Sequence, residues 1–380
     1  MKKRSILALI VAVVMIVSVF GLAACGNKAA APEPAAPEAP AEAPPAAVEE
    51  AAQDAVQGDL PTGLRTAYYV STLNNAYHQG DANWAIKYGK EAYGIEITIM
   101  DGKSDTQVMA ENAELTLAGA YDMCSWFVWN GDTIAPTVQE CLDGGMTSNM
   151  FYQDLGPNID IPFIYVIESK AATEMGVVAA TQWKKFYPDK PIKFAQIGWM
   201  ENDTVLKERR LPFTEGVMSV DPTAELVAEL DAGAGTEAAY AVAQDLLQSN
   251  PDVNIIYAHS NDLVIGVMKA LREAGRGKAE DGVPLTEIVI SVDAPEQEII
   301  EIFDPTSSLK ITMSMTPKDN AIARLDNLVD IRLGNIPQFE RLIINTYDVK
   351  IDFWNTPPQE ALDFHNDQYM NNLTMADLGM

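Results

Sequence analysis

Cysteine, histidine and basic side chains are scarce in this sequence, and each scarcity excludes something. There are three cysteines and three histidines among 380 residues. No cysteines stand at metal-ligand spacing, which argues against a structural zinc site. His78 and His259 could join Asp293 around a metal, but no close ligand spacing supports it, so neither metal nor cofactor is expected. A Gly-x-Ser-x-Gly elbow, a phosphate-binding glycine loop and a His-Glu-x-x-His pair are all missing, and nothing marks the chain as an enzyme. Basic residues number 26 against 54 acidic ones, a formal net charge of −28. Such a body repels nucleic acid and anionic lipid, and both are excluded as partners. Overall acidity says nothing about a small ligand.

What is present begins with a leader. Lys2-Lys3-Arg4 precedes an apolar run from Ile6 to Leu22 that ends in Leu22-Ala23-Ala24-Cys25. A charged start, an apolar middle and small residues before a cleavage point describe a secretory signal over residues 1–24. The run also approaches membrane-spanning length, so an uncleaved anchor is the alternative. Leu-Ala-Ala-Cys resembles a bacterial lipobox, which implies that Cys25 becomes the first mature residue and carries a lipid anchor to the cell membrane. Residues 25–59 are then an Ala/Pro/Glu-rich spacer with little to bury, expected to be disordered.

From Leu60 onward the chain is long enough for two domains. Short β-branched runs alternate with helical stretches throughout. Ala67–Val70 leads to a helix from His78 to Tyr93, and Ile95–Met100 to one from Asp105 to Leu117. Tyr121–Val128, Phe163–Ile167, Ile192–Ile197, Ala224–Leu230, Val253–Ala258, Glu287–Val292 and Lys310–Ser314 continue the series. This alternation predicts an α/β fold with parallel sheets, and there are too many strands for one ordinary sheet. A (β/α)8 barrel is the competing architecture. Cys124 on a strand and Cys141 on the next helix read as two buried thiols rather than a bridge.

The loops after the strands carry amides, hydroxyls and aromatics rather than paired acids and bases. Asn74, Asn75, Tyr77 and His78 follow the first strand, and Trp129 and Asn130 the third. Trp199, Asn202 and, on the ensuing helix, Arg209 follow a later one, as do His259, Ser260, Asn261 and finally Asp293. In an open parallel sheet, ligands sit beyond the strand carboxyl ends. A polyhydroxylated ligand needs this mixture, because its hydroxyls both donate and accept while its C–H faces pack on aromatic rings. Each group also has a plainer role. Asn75, Asn130, Asn202, Ser260 and Asp293 suit helix caps, Trp126 suits a core, and Arg209 could pair with Glu208 or Glu215 on its own helix.

In that order, Ser71-Thr72-Leu73-Asn74-Asn75, Lys207-Glu208-Arg209 with Phe213, Ala258 to Gly266, Val292-Asp293 and Thr316-Pro317 resemble periplasmic sugar-binding proteins of the ribose/galactose type. The resemblance runs from about Thr66 to Gly334. It implies two Rossmann-like domains joined by a three-stranded hinge (the type I periplasmic binding protein fold), a monomer that closes around a monosaccharide and delivers it to an ABC permease. A sensing role toward a chemoreceptor or sensor kinase is the alternative it leaves open. By position, Asn75, Tyr77, His78, Asn130, Arg209 and Asp293 match its ligand-binding residues. The family's Asn-Asp appears shifted, as Ser260-Asn261-Asp262. Val292 replaces an aromatic and Met315 a glutamine, which leaves the identity of the sugar open. The expected lobes are 60–169 plus 316–345 and 170–315 plus 346–380. The tail beyond Tyr347, with Trp354 and His365, has no counterpart in this reading.

Overall fold

The computed structural model describes residues 60–127, 131–233 and 235–380. The expected leader, Cys25 and spacer lie outside the described residues, as do Trp129 and Asn130.

In chain order the strands of the two large sheets are β1 (Arg65–Val70), β2 (Glu96–Asp101), β3 (Met123–Phe127), β4 (Thr147–Phe151), β5 (Phe163–Ile167), β6 (Lys193–Gly198), β7 (Glu225–Asp231) and β8 (Ile255–Ala258). A small antiparallel pair follows, β9 (Ala279–Glu280) with β10 (Val283–Pro284). The series ends with β11 (Ile288–Val292), β12 (Leu309–Ser314), β13 (Ile343–Tyr347) and β14 (Val349–Asp352). The helices are α1 (Ala76–Tyr88), α2 (Thr106–Ala118), α3 (Gly131–Asp143), α4 (Ser169–Phe186), α5 (Asp203–Val205), α6 (Leu211–Val220), α7 (Thr236–Ser249), α8 (Asn261–Glu273), α9 (Glu296–Phe303), α10 (Pro317–Leu333) and α11 (Pro358–Tyr369).

Two six-stranded sheets form, in the orders β13-β5-β4-β3-β1-β2 and β14-β12-β11-β8-β6-β7. All pairings within them are parallel except β14 against β12. The barrel alternative is thereby corrected: both sheets have open edges. Strands covered on both faces read as continuous apolar runs, as in Ile288–Val292, where every residue is buried. Trp126, Tyr69 and Met150 anchor the core of the first sheet, and Phe194, Phe213 and Tyr257 that of the second.

Local chemistry sets the helix ends. Asn75 Oδ1 accepts from the backbone N–H groups of Tyr77 (2.9 Å) and His78 (3.4 Å) and starts α1 two residues earlier than the pattern suggested. A π-helical turn at Gly89–Tyr93 finishes that element. Pro317 opens α10, where a missing N–H costs nothing, and Gly334 ends it at φ 77°. Helices α4 and α6 touch backbone to backbone: a Cβ on Gly216 would lie 2.2 Å from the Thr173 carbonyl oxygen. Cys124 and Cys141 are buried free thiols.

The chain crosses between the sheets at three places: after β5 at Glu168, after β12 at Met315-Thr316, and between β13 and β14 at Asp348. Strands β4, β13 and β14 and helix α11 were missed in the sequence. Thr147–Phe151 (Thr-Ser-Asn-Met-Phe) carries three polar residues, yet all five side chains are buried. Its Asn149 Nδ2 donates to the Arg324 carbonyl (2.8 Å) and to Asn327 Oδ1 (2.9 Å), contacts that no local pattern announces.

Candidate functional site

The carboxyl ends of the strands in the two sheets face one cavity with about 750 Å³ of free space, including its open mouth. From the first sheet Asn75, Tyr77, His78, Phe127, Phe151 and Tyr152 line it. From the second come Trp199, Arg209, His259, Ser260, Asp262 and Asp293, and from a crossing segment Met315. Volume and lining suit a small molecule held by aromatic walls and a few fixed polar groups.

Asn75 links the two sides. While its Oδ1 caps α1, its Nδ2 donates to Asp293 Oδ2 and to Asp262 Oδ2, both at 3.2 Å. Asp293 Oδ2 also accepts from the Asn261 backbone N–H at 3.1 Å. Burial raises the Asp293 carboxyl to about 6, with the nearby Asp262 carboxylate adding to the rise against the opposing pull of Arg209. Asp262 is raised by burial too.

Arg209 is the largest correction to the sequence reading. It is no exposed cleft charge, and it pairs with neither Glu208 nor Glu215. Its side chain is buried, and Nε and Nη2 each donate to Glu168 at 2.6 Å in a two-pronged pair. Nη1 donates to the His259 carbonyl, and Nη2 lies 3.5 Å from the Tyr152 hydroxyl. Glu168 directly follows the apolar run of β5, the same strand-end position that marked the other candidates, and was overlooked there. Glu208 instead accepts from the Glu168 and Ser169 backbone N–H groups at 3.1 and 2.9 Å, and from the Tyr165 hydroxyl at 2.5 Å.

Burial disfavours the charged form of both cavity histidines. Burial pulls His78 down to about 3, with Arg324 adding to the drop. Burial holds His259 well below its ordinary value, helped by Arg209 and Arg210. Gln196 donates its amide to Thr214 (2.9 Å), so its Oε1 accepts from His259 Nε2–H at 3.1 Å and fixes that tautomer. The ring fits only because residue 198 is glycine; a Cβ there would lie 2.0 Å from His259 Nδ1. Among the described residues no group of three or more His, Cys, Asp or Glu could hold a metal ion.

Ser260 caps α8 through its Oγ and also lines the cavity, and Asn202 caps α5. Asn261 turns away from the cavity and donates to Glu298 at 2.8 Å, while its neighbour Asp262 faces in. The shifted Ser-Asn-Asp run therefore puts its carboxylate, not its amide, toward the space. Asp293 does not cap the helix that follows it, α9; its carboxylate instead meets the first N–H of α8. It and Ala294 sit at φ 94° and 51°, a left-handed stretch that costs non-glycine residues about 1–3 kcal/mol each. The carbonyls of both residues are held by α11: Tyr369 donates its hydroxyl to Asp293 O, and His365 Nδ1 donates to Ala294 O at 3.0 Å.

A family model described as a periplasmic binding protein domain matches residues 67–334. The chain belongs to that family. No curated protein matches it. Solved structures share the binding-protein fold at low identity. One is an ABC transporter solute-binding protein from Burkholderia multivorans with an unknown ligand (17% identity, 77% of this chain and 100% of that one, TM-score 0.67). A second, from Mycobacterium smegmatis, holds β-D-fucofuranose (16%, 83% and 98%, 0.66). A third is the Caulobacter myo-inositol-binding protein with myo-inositol (16%, 81% and 99%, 0.66). In this binding-protein chain the described fold is the expected α/β one of two sheets joined by three crossings. Among the described residues no helix is long and apolar enough to cross a membrane.

Proposed function

We propose that the chain is an extracytoplasmic solute-binding protein that captures a small polyhydroxylated ligand between its two sheets and hands it to an ABC importer. The supporting observation is the cavity itself, closed across by the Asn75 amide on the Asp262 and Asp293 carboxylates. In this reading the expected lobes, 60–169 with 316–345 and 170–315 with 346–380, shift at the last crossing, because β13 stays in the first sheet to Tyr347: the first lobe takes residues 316–347 and the second 348–380, hinged at Glu168, Met315-Thr316 and Asp348. Contacts from both lobes supply the differential affinity for the closed state that drives closure. Asn75, Tyr77, His78, Ser260 and Asp293 touch the ligand, joined by Trp129 and Asn130 from outside the described residues, and Arg209 stands in the cavity wall, fixed there by Glu168. Cys25 carries the lipid that tethers the protein to the membrane.

A thermal-shift screen of pentoses, hexoses, polyols and nucleosides against the full-length protein tests this, since a ligand that binds only the native state raises its melting temperature. A shift from one compound supports the reading. Sustained chemical turnover of a bound compound overturns it in favour of an enzyme.

A further inference from the structure

The charge inside the cavity is out of balance, and the imbalance identifies a ligand class. Arg209 is the only cation that lines it among the described residues. Its N–H groups are already directed to Glu168, the His259 carbonyl and Tyr152, and Glu168 cancels its charge. Asp262 and Asp293 remain, and neither forms an ion pair with a described residue; both accept from the Nδ2 of Asn75, and Asp293 also accepts from the Asn261 backbone N–H.

A second, independent feature points the same way. Trp199 is shared with a neighbouring open cleft, about 1270 Å³ of free space including solvent, that is also lined by Asp132, Asp154, Glu201, Asp203 and Arg341. Arg341 pairs with Asp154 and Lys207 with Asp203, which leaves Asp132 and Glu201 without a basic partner among the described residues. An excess of exposed charge of one sign beside the cavity mouth raises the local concentration of ligands of the opposite sign.

We propose that the ligand is a polyhydroxylated molecule carrying a protonated amine, an amino sugar or a close relative, with its ammonium group seated between Asp262 and Asp293. This rests on the solute-binding reading above. An ammonium supplies three donors and no acceptor, which matches two carboxylates whose one shared donor is an amide. It also neutralises charge that burial makes costly. The aromatic walls then take the C–H face of the ring.

The test is isothermal titration of the full-length protein with matched sets: glucosamine, galactosamine and mannosamine, each beside its N-acetylated form and its parent hexose. The expected result is a free amine that binds at least about tenfold tighter than both neutral partners, an advantage that shrinks with added salt. Asp262→Asn should erase that advantage while its unliganded melting curve stays cooperative. A neutral hexose or N-acetyl sugar binding as tightly as its amine overturns the amine assignment and leaves solute binding standing. An advantage that persists in Asp262→Asn overturns the placement of the ammonium. No binding by any member of the sets, with a folded protein, overturns the amine assignment and the sugar reading together.

Discussion

Glu168 and Arg209 lie 41 residues apart and meet through two hydrogen bonds of 2.6 Å, at the point where the chain leaves the first sheet for the second. Both side chains are almost wholly out of water, so neither charge is affordable alone. The pair ties the wall of the cavity to a crossing segment. Arg209→Ala is therefore expected to lower stability by about 3–5 kcal/mol, the usual result of stranding one partner of a buried pair. Replacing both, Glu168→Leu with Arg209→Met, should recover much of that loss. Denaturant unfolding of the two singles and the double measures the coupling, and additive losses would reject it.

Asn75 has two separable roles. Asn75→Asp keeps the acceptor that caps α1 but exchanges the bridging donor for a third carboxylate beside Asp262 and Asp293. The melting temperature should change little, since the cap contributes about 1 kcal/mol and survives. Closure should fail, and small-angle scattering should show a larger radius of gyration than for the parent under the same conditions. An unchanged radius would mean that the amide bridge does not hold the lobes together.

Tyr369 acts on the site without lining it. Its hydroxyl holds the carbonyl of Asp293, whose backbone sits in the left-handed region. The same helix reaches the first sheet's helices, where Trp84 Nε1 donates to Gln368 O at 2.7 Å and the Lys318 N–H to Gln368 Oε1 at 3.1 Å. Tyr369→Phe should weaken ligand binding about tenfold or less while costing about 1 kcal/mol of stability, the worth of one hydrogen bond. Hydrogen exchange around Asp293 and Ala294 should rise in the variant. Equal exchange in both proteins would assign the tail to stability alone.

Glu298 sets a pH dependence. It is buried beside Ser291, Thr312 and Asn261 with no cation beside it among the described residues, and burial raises it from 4.5 to about 8. The folded state thus holds the proton more tightly than the unfolded chain. Its contribution to stability is full below pH 4.5 and is lost as pH rises through about 8. Glu298→Gln removes that slope, so the variant should gain on the parent between pH 5 and 8 as pH increases. Parallel curves would show that Glu298 is ionised in the folded protein throughout.

Much of the fold was legible because alternation is a local property. The runs at Ala67–Val70, Phe163–Ile167 and Glu287–Val292 announce buried parallel strands through composition alone, and the polar residues after them mark the rim of the sheet. The order of motifs from Ser71 to Pro317 carried the family. Strand β13 escaped notice because Ile343 and Tyr347 are exposed at a sheet edge, and Thr147–Phe151 because it buries three polar residues, one of which, Asn149, bonds to residues far along the chain.

The sequence by itself determined that the body is acidic, that two α/β sheets form, and which loops reach the strand ends. It could not decide what each charged group does there. Arg209 reads equally as a ligand contact or a surface ion pair until the crossing after β5 brings Glu168 against it. Asp262 looks like a helix-start acid until Asn75 approaches from the other sheet. Electrostatic roles depend on through-space distance and on burial, and both exist only once residues 41 to 187 positions apart have been packed together.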